Sequence, residues 1–208
     1  MGRTTKREAL PIGLVVEGAT EYRALPLILN RLGVRFTTPS VFQGQPIQAS
    51  IRQFVAARLL KHVRVQLTRS VARVIVVLDR ETRKESARDF GDKLTLELKK
   101  QVKRLEGEAG SDKIAVAVAD RSFENWLLAD PDGIERSNLF RRNAGLNGKV
   151  ACHADERDAK SILQNAMPRN WYERPIHGPQ LAAHIRVEAA KVRFCSKSFA
   201  SFLRMVQQ

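Results

Sequence analysis

Apolar residues along the chain group into short continuous runs, and these runs alternate with stretches in which apolar residues recur at helical spacing. A short continuous apolar run is typical of a strand buried on both faces. Three such runs predict strands over residues 11–16, 73–78 and 114–119. Helical spacing predicts three longer helices, over residues 22–32, 51–68 and 90–105.

Alternating strands and helices predict an α/β fold, because parallel neighbouring strands are joined by crossover helices. A weaker strand at residues 34–38 brings the expected number of strands to four. Thr20 is placed to cap the first helix, and Ser122 to cap a helix over residues 123–130. We therefore expect a mostly parallel, four-stranded, Rossmann-like sheet flanked by helices over residues 11–130.

The sequence changes in character after Pro131, where glycine and proline become frequent and long apolar runs are absent. We expect residues 131–208 to form a mostly helical appendage that packs on the sheet layer. Its predicted helices cover residues 158–166, 181–192 and 198–206. Residues 1–10 are expected to form a flexible basic arm.

The chain is strongly basic, with 36 Lys and Arg against 22 Asp and Glu and a formal net charge of +14. No acidic residue occurs between Glu21 and Asp79, although nine basic residues lie there. Such a stretch predicts a face that contacts the phosphates of nucleic acid, and a solvated basic surface is the alternative. The candidate nucleic-acid-binding residues are Arg52, Arg58, Lys61, Arg69, Arg80, Arg83 and Lys84.

Several classes of protein are disfavoured by the same pattern. The longest apolar runs fall far below the ~18 residues of a membrane span, and no hydrophobic stretch of a signal peptide follows the basic N-terminus. Cys152 and Cys195 lie far apart in sequence without a CxxC neighbour, which disfavours a zinc site. We therefore expect a cytoplasmic protein with free thiols and no membrane partner.

Four acidic residues follow directly after predicted strands, and parallel strands would bring them to one edge of the sheet. They are Glu17, Asp79, Glu81 and Asp120. Close carboxylates repel one another unless a cation joins them, and oxygen ligands suit Mg²⁺ or Mn²⁺. A divalent ion beside a basic surface suits phosphodiester chemistry. The alternative is that these acids cap helices and pair with Arg80, Arg83 and Arg121.

Two of these segments resemble motifs of the toprim domain. Residues 14–21, Leu-Val-Val-Glu-Gly-Ala-Thr-Glu, resemble its first motif, a hydrophobic strand that ends in Glu-Gly. Residues 74–81 lie where the family has an Asp-x-Asp motif, and the order of elements also matches. The pair of acidic residues Glu17 and Glu21 resembles a feature of the toprim half of OLD-family nucleases. Residues 123–130 resemble a motif of small toprim-related proteins of unassigned function that are often encoded beside ATPases in bacteria.

The resemblance implies Mg²⁺-dependent cutting or joining of nucleic-acid phosphodiesters. It implies that Glu17 is the general acid/base or a metal ligand and that Asp79 and Glu81 hold Mg²⁺. Glu21 would support a second ion, as would Glu124 or Asp120. The family usually has Asp where this chain has Glu81, and this departure leaves an inactive domain open as an alternative.

The function expected from these features is that of a metal-dependent toprim-type nuclease, with a separate ATPase partner in bacterial defence or repair. No Walker A pattern is present, so ATP hydrolysis would come from the partner. Two alternatives stay open: a small RNA-processing toprim nuclease, and a catalytically inactive toprim fold that binds nucleic acid or protein. The sequence does not separate DNA from RNA. Trp126 and Trp171 are expected to be packing aromatics rather than platforms for base stacking.

Overall fold

The computed structural model describes residues 9–44 and 50–208. The predicted basic arm, residues 1–10, lies outside these ranges except for its last two residues.

The centre of the fold is a sheet of four parallel strands in the order β2-β1-β3-β4. The strands are β1 (Ile12–Val16), β2 (Ser40–Val41), β3 (Arg73–Asp79) and β4 (Ile114–Ala119). The predicted α/β class and parallel sheet are confirmed. Because β1 and β3 are direct neighbours, their carboxyl ends lie side by side at one edge of the sheet.

The edge strand β2 differs from the prediction, which placed a strand at residues 34–38. Only Phe36 of that segment bridges to the sheet, opposite Ile12, and the ladder forms at residues 40–41 instead. A buried side chain from the neighbouring helix explains the difference, because the Gln66 amide nitrogen donates to the Thr38 carbonyl oxygen. This side-chain bond takes the place of a strand partner at that position.

One face of the sheet is covered by α1 (Ala19–Arg31), which follows β1 after a two-residue turn. Gly18 is the N-cap of this helix, so the predicted cap at Thr20 is wrong; Thr20 lies buried in the first turn. The helix packs on inward-facing residues of the strands such as Leu14 and Val77, which belong to one hydrophobic cluster. The immediate start of α1 keeps its first turn at the carboxyl end of β1.

The opposite face is covered by a helix interrupted by one π-helical segment and by a long helix. These elements are α2 (Ile51–Phe54), the π segment (Val55–Leu59), α3 (Leu60–Leu67) and α4 (Ala87–Asp112). The π segment rotates the buried stripe, so that Val55 is buried and Ala56 is exposed. Leu105, the last residue of the helix predicted over residues 90–105, is 54% exposed on α4.

The C-terminal part consists of short helices that share one hydrophobic cluster with α1 and the first sheet face. These helices are α5 (Phe123–Leu127), α6 (Pro131–Ile134), α7 (Leu146–Val150), α8 (Ala159–Ala166), α9 (Arg174–Ala182), α10 (Ala190–Cys195) and α11 (Lys197–Gln207). Helices predicted at residues 158–166 and 198–206 are present. The single helix predicted over residues 181–192 is wrong, because the chain turns between α9 and α10, where the buried Asp130 carboxylate accepts the Arg186 backbone N–H.

The two tryptophans have different environments. Trp126 is fully buried against Phe199 and Phe202, as expected of a packing aromatic. Trp171 is 56% exposed, so its predicted place in the packing is wrong. None of the helices in the described ranges combines the length and the apolar composition that a membrane span requires.

Candidate functional site

The carboxyl ends of β1 and β3 are tied together by an acidic side chain. The Asp79 backbone N–H donates to Glu17 Oε2 over 3.0 Å. Glu17 is the first residue after β1, and Asp79 is the last residue of β3. The adjacency of these two strands therefore brings together two carboxylates that are separated by 62 positions in the sequence.

Four of the predicted acids line one open cavity of about 460 Å³ at this edge, which we call the acid cavity. They are Glu17, Glu21, Asp79 and Glu81. Glu21 reaches the cavity because it is one helical turn beyond Glu17, in the first turn of α1. Glu81 follows β3 with a left-handed backbone (φ 55°), and its N–H donates to the Arg121 carbonyl oxygen over 2.7 Å.

An arginine from the C-terminal part enters the acid cavity. Arg174 Nη2 lies 3.0 Å from Asp79 Oδ2 and 2.9 Å from Glu124 Oε2. Its Nε lies 2.5 Å from Glu124 Oε1, which gives a bidentate pair with that carboxylate. The guanidinium thus joins the end of β3 to α5, and its side chain stays 39% exposed.

The position of Arg174 depends on the close packing of α9 against α1. A Cβ atom at Gly178 would lie 2.5 Å from Thr20 Cγ2, so glycine lets the two helices approach. Arg174 is the first residue of α9, and the N-cap residue Glu173 donates its N–H to His177 Nδ1 over 2.8 Å. The contact between helices from opposite ends of the chain therefore sets the arginine beside the strand ends.

The buried carboxylates of the site have perturbed acidities. Burial raises the pKa of Asp79 well above its usual range, the nearby Glu21 carboxylate raises it further, and Arg174 opposes both effects. Burial also raises the pKa of Glu21, against the opposing effects of a backbone hydrogen bond and Arg174. One guanidinium therefore only partly compensates the negative charge, and the acid cavity favours a further cation or a bound proton.

Two other predicted metal ligands have different surroundings. Glu124 is 1% exposed, and besides Arg174 it accepts a hydrogen bond from the Tyr172 hydroxyl over 3.2 Å. Asp120 lines neither the acid cavity nor the neighbouring cleft, and it pairs with Arg80 Nε over 2.5 Å. Arg174 therefore links Glu124 to the acid cavity, whereas Asp120 lies outside that cavity.

The donor chemistry of the acid cavity fits a hard divalent cation, because its acidic side chains offer only carboxylate oxygens. Within residues 9–44 and 50–208, no three acidic, histidine or cysteine side chains already adopt a metal-binding arrangement. Coordination would therefore require the side chains around Arg174 to rearrange.

A second cavity of about 530 Å³, which we call the basic cleft, adjoins the acid cavity. Glu81, Lys160 and Arg174 line both. Of the predicted nucleic-acid-binding residues, Arg80 and Arg83 line the cleft and Lys84 does not. The remaining four, which lie on or directly after the helices of the opposite sheet face, line neither cavity: Arg52, Arg58, Lys61 and Arg69.

Several residues that line the two cavities were not among the functional residues predicted from the sequence. These are Arg121, Arg157, Lys160, Tyr172 and Arg174. The predicted helix at residues 158–166 was a usable signal for two of them, since Arg157 and Lys160 flank its N-cap, Asp158. No local pattern marks Arg174, because its role depends on Asp79, 95 positions away.

Comparison with known families adds an assignment by sequence. Residues 16–207 match the family described as "Domain of unknown function (DUF4276)". The chain belongs to the DUF4276 family. No curated protein matches this DUF4276 chain.

Two solved structures resemble the fold at low sequence identity. The C-terminal region of the Burkholderia pseudomallei OLD protein is 17% identical with a TM-score of 0.48, and the match covers 95% of this chain and 98% of that one. The C-terminal region of the Xanthomonas campestris pv. campestris OLD protein is 13% identical with a TM-score of 0.44, with coverage of 95% and 98%. Both scores lie below 0.5, and the family assignment rests on the sequence match.

Proposed function

We propose that this protein is a metal-dependent nuclease of the toprim type that cleaves nucleic-acid phosphodiesters. The observation that carries the proposal is the convergence of four carboxylates at the carboxyl ends of two neighbouring parallel strands, in a cavity that opens beside a basic cleft. Ligand sites of parallel α/β sheets lie at this edge. A separate ATPase partner and a role in bacterial defence or repair follow from the resemblance alone and stay predictions.

Glu17, Asp79 and Glu81 would hold the divalent ion, and Glu21 would support a second one. When bound, such an ion supplies a Lewis acid for a phosphate oxygen and lowers the pKa of a coordinated water. The Asp79 N–H fixes one oxygen of Glu17, which keeps that carboxylate oriented at the strand end. The left-handed backbone of Glu81 brings its side chain to the border of both cavities.

A second candidate is a catalytically inactive fold that binds nucleic acid. Arg174 pairs with Glu124 in a bidentate manner and also contacts Asp79. These contacts favour this candidate, because a guanidinium already neutralises part of the negative charge at the acid cavity. The presence of Glu81 where the toprim motif has Asp points in the same direction. The two candidates differ in one measurable property, which is metal-stimulated cleavage.

The test is cleavage of supercoiled plasmid and of structured RNA in Mg²⁺, in Mn²⁺ and in EDTA. We expect cleavage in the presence of metal, none in EDTA, and a loss of at least about 100-fold in Glu17→Gln and Asp79→Asn, a magnitude typical of removing a group that acts on the transition state. Asp92→Asn, which changes an exposed carboxylate on α4, is the charge-matched control and should keep full activity.

Thermal unfolding gives a second measurement that does not depend on turnover. Mg²⁺ should raise the melting temperature of the wild type and of Asp92→Asn, but not that of Asp79→Asn, because only a bound ion stabilises the folded state. Cleavage that persists undiminished in both Glu17→Gln and Asp79→Asn contradicts the proposal. Metal stabilisation without cleavage by the wild type favours the inactive binding fold.

A further inference from the structure

The basic cleft contains three cations that are not held in ion pairs. Arg121, Arg157 and Lys160 line the cleft and form no ion pair with any acidic residue in the described ranges. Of the other basic residues of the lining, Arg80 pairs with Asp120, Arg174 pairs with buried acids, and the Arg83 guanidinium lies over the Phe90 ring. The three residues therefore give this concave surface positive charge that is not held in ion pairs.

Backbone carbonyl groups hold two of these cations in place. Arg121 Nη1 donates to the Glu156 carbonyl oxygen over 2.9 Å, and Arg157 Nε donates to the Val150 carbonyl oxygen over 3.2 Å. A carbonyl acceptor orients a guanidinium without neutralising its charge, and each guanidinium keeps further N–H donors for a ligand. Lys160 is exposed and adds a mobile point charge beside them.

The loops that carry this charge are locked to each other at the strand ends. Arg121 and Glu81 both have left-handed backbones, with φ of 71° and 55°, although neither is a glycine or an asparagine. The Glu81 N–H donates to the Arg121 carbonyl oxygen over 2.7 Å, and the Arg80 side chain binds Asp120 and the Arg83 carbonyl oxygen. Backbone strain of this kind concentrates at functional sites, and here it shapes one wall of the cleft.

One acidic residue of the lining, Asp158, is engaged in capping a helix. Asp158 is the N-cap of α8, and both its oxygens accept hydrogen bonds from Ser161. These hydrogen bonds, together with the charges of Arg121 and Lys160, lower the pKa of Asp158. The Asp158 carboxylate thus caps α8, while Arg121 and Lys160 remain available to bind an anion.

We propose that the phosphodiester backbone of a nucleic-acid strand binds in this cleft, with Arg121, Arg157 and Lys160 as its phosphate contacts. This site adds a substrate-binding surface to the proposed nuclease, and the direction of the bound strand rests on that proposal. Glu81, Lys160 and Arg174 line both cavities, so a strand in the cleft passes directly into the acid cavity. The binding surface is therefore assigned to the loop after β4 and to residues 157–160, and not to the α2–α3 helices predicted from charge.

The test is binding measured by fluorescence anisotropy in EDTA, with labelled single-stranded DNA and RNA oligonucleotides of one sequence. Arg121→Gln/Arg157→Gln/Lys160→Gln is compared with Arg52→Gln/Arg58→Gln/Lys61→Gln, which removes the same charge from the exposed face of α2, the π segment and α3. We expect only the cleft variant to weaken binding, at least about tenfold, and to lower the slope of log K against log salt by about 2–3, as three lost phosphate contacts predict. The DNA and RNA arms show which strand the cleft prefers.

Lys160→Glu keeps the test valid if the triple variant fails to fold, because the Lys160 side chain is exposed and makes no hydrogen bond or ion pair with the described part of the chain. It should weaken binding without changing the melting temperature. Equal losses in both triple variants, a loss confined to the α2–α3 variant, or no binding by the wild type would overturn the inference. Since the assay contains EDTA, a protein that binds through the cleft but never cleaves refutes the nuclease proposal alone.

Discussion

Replacing Arg174 by glutamine removes a guanidinium that contacts two buried carboxylates, those of Asp79 and Glu124. The wild-type side chain makes three charge-assisted hydrogen bonds, one to Asp79 and two to Glu124. Both acceptors are buried, with 5% and 1% exposure. The variant therefore removes the positive charge of Arg174 from two carboxylates that lie in a poorly hydrated environment.

The expected loss follows from the burial of the pair. Removing one partner of a buried ion pair costs about 3–5 kcal/mol. Because Arg174 is 39% exposed, water screens part of the interaction, and we take about 3 kcal/mol at neutral or alkaline pH. For a chain of this length, that loss lowers the melting temperature by roughly 6–12 °C.

The loss should depend on pH, and the raised pKa of Asp79 sets the sign. A carboxyl whose pKa is higher in the folded state binds more protons there, so the free energy of unfolding falls as pH rises from the unfolded to the folded pKa. Arg174 opposes the raised pKa, and its removal moves the folded pKa further upward. The destabilisation in Arg174→Gln is therefore larger at about pH 8 than at about pH 5, where protonation relieves the unpaired charge.

Arg186→Gln is the matched control, since Arg186 is 37% exposed and pairs with Asp130, which is 1% exposed. Burial raises the pKa of Asp130, but hydrogen bonds from Arg186 and Gly133 outweigh it and lower that pKa. Two backbone N–H donors remain on Asp130 in the variant, so its destabilisation should be nearly equal at both pH values. Urea unfolding of both variants gives the comparison. An equal loss at both pH values in Arg174→Gln would refute the assignment of a raised pKa to Asp79.

Two further pairs of variants test the packing. Trp126→Ala should cost about 3–5 kcal/mol of unfolding free energy because the indole is fully buried, whereas Trp171→Ala should stay within about 1 kcal/mol. Gly133→Ala should destabilise strongly, since a Cβ there would collide with the Asp130 carboxylate. Gly148→Ala, a helical position with open space around it, should be neutral or stabilising by up to about 1 kcal/mol. Denaturant titration of the four variants measures all of these differences.

Much of the central fold was predictable because its signals are local. The apolar runs that form β1, β3 and β4 are continuous, and such runs specify buried strands without reference to the rest of the chain. The short β2 was misplaced because the Gln66 side chain, from a helix outside that segment, takes up the carbonyl group of Thr38. The helix between residues 181 and 192 was misjudged for a similar reason, since the distant Asp130 binds the backbone there.

The sequence by itself determined that Glu17 and Asp79 meet, but its expectation for Asp120 was wrong, because Asp120 pairs with Arg80 outside the acid cavity. Glu17 and Asp79 directly follow or end hydrophobic strands, and parallel strands place such positions at one sheet edge. Only the tertiary structure decided what surrounds them. Arg174 reaches Asp79 because Gly178 lets α9 pack closely on α1, and Arg121 gains its place through a hydrogen bond with Glu81. Strand ends follow from local apolar patterns, whereas ion pairs and clefts between distant segments depend on how the helices pack.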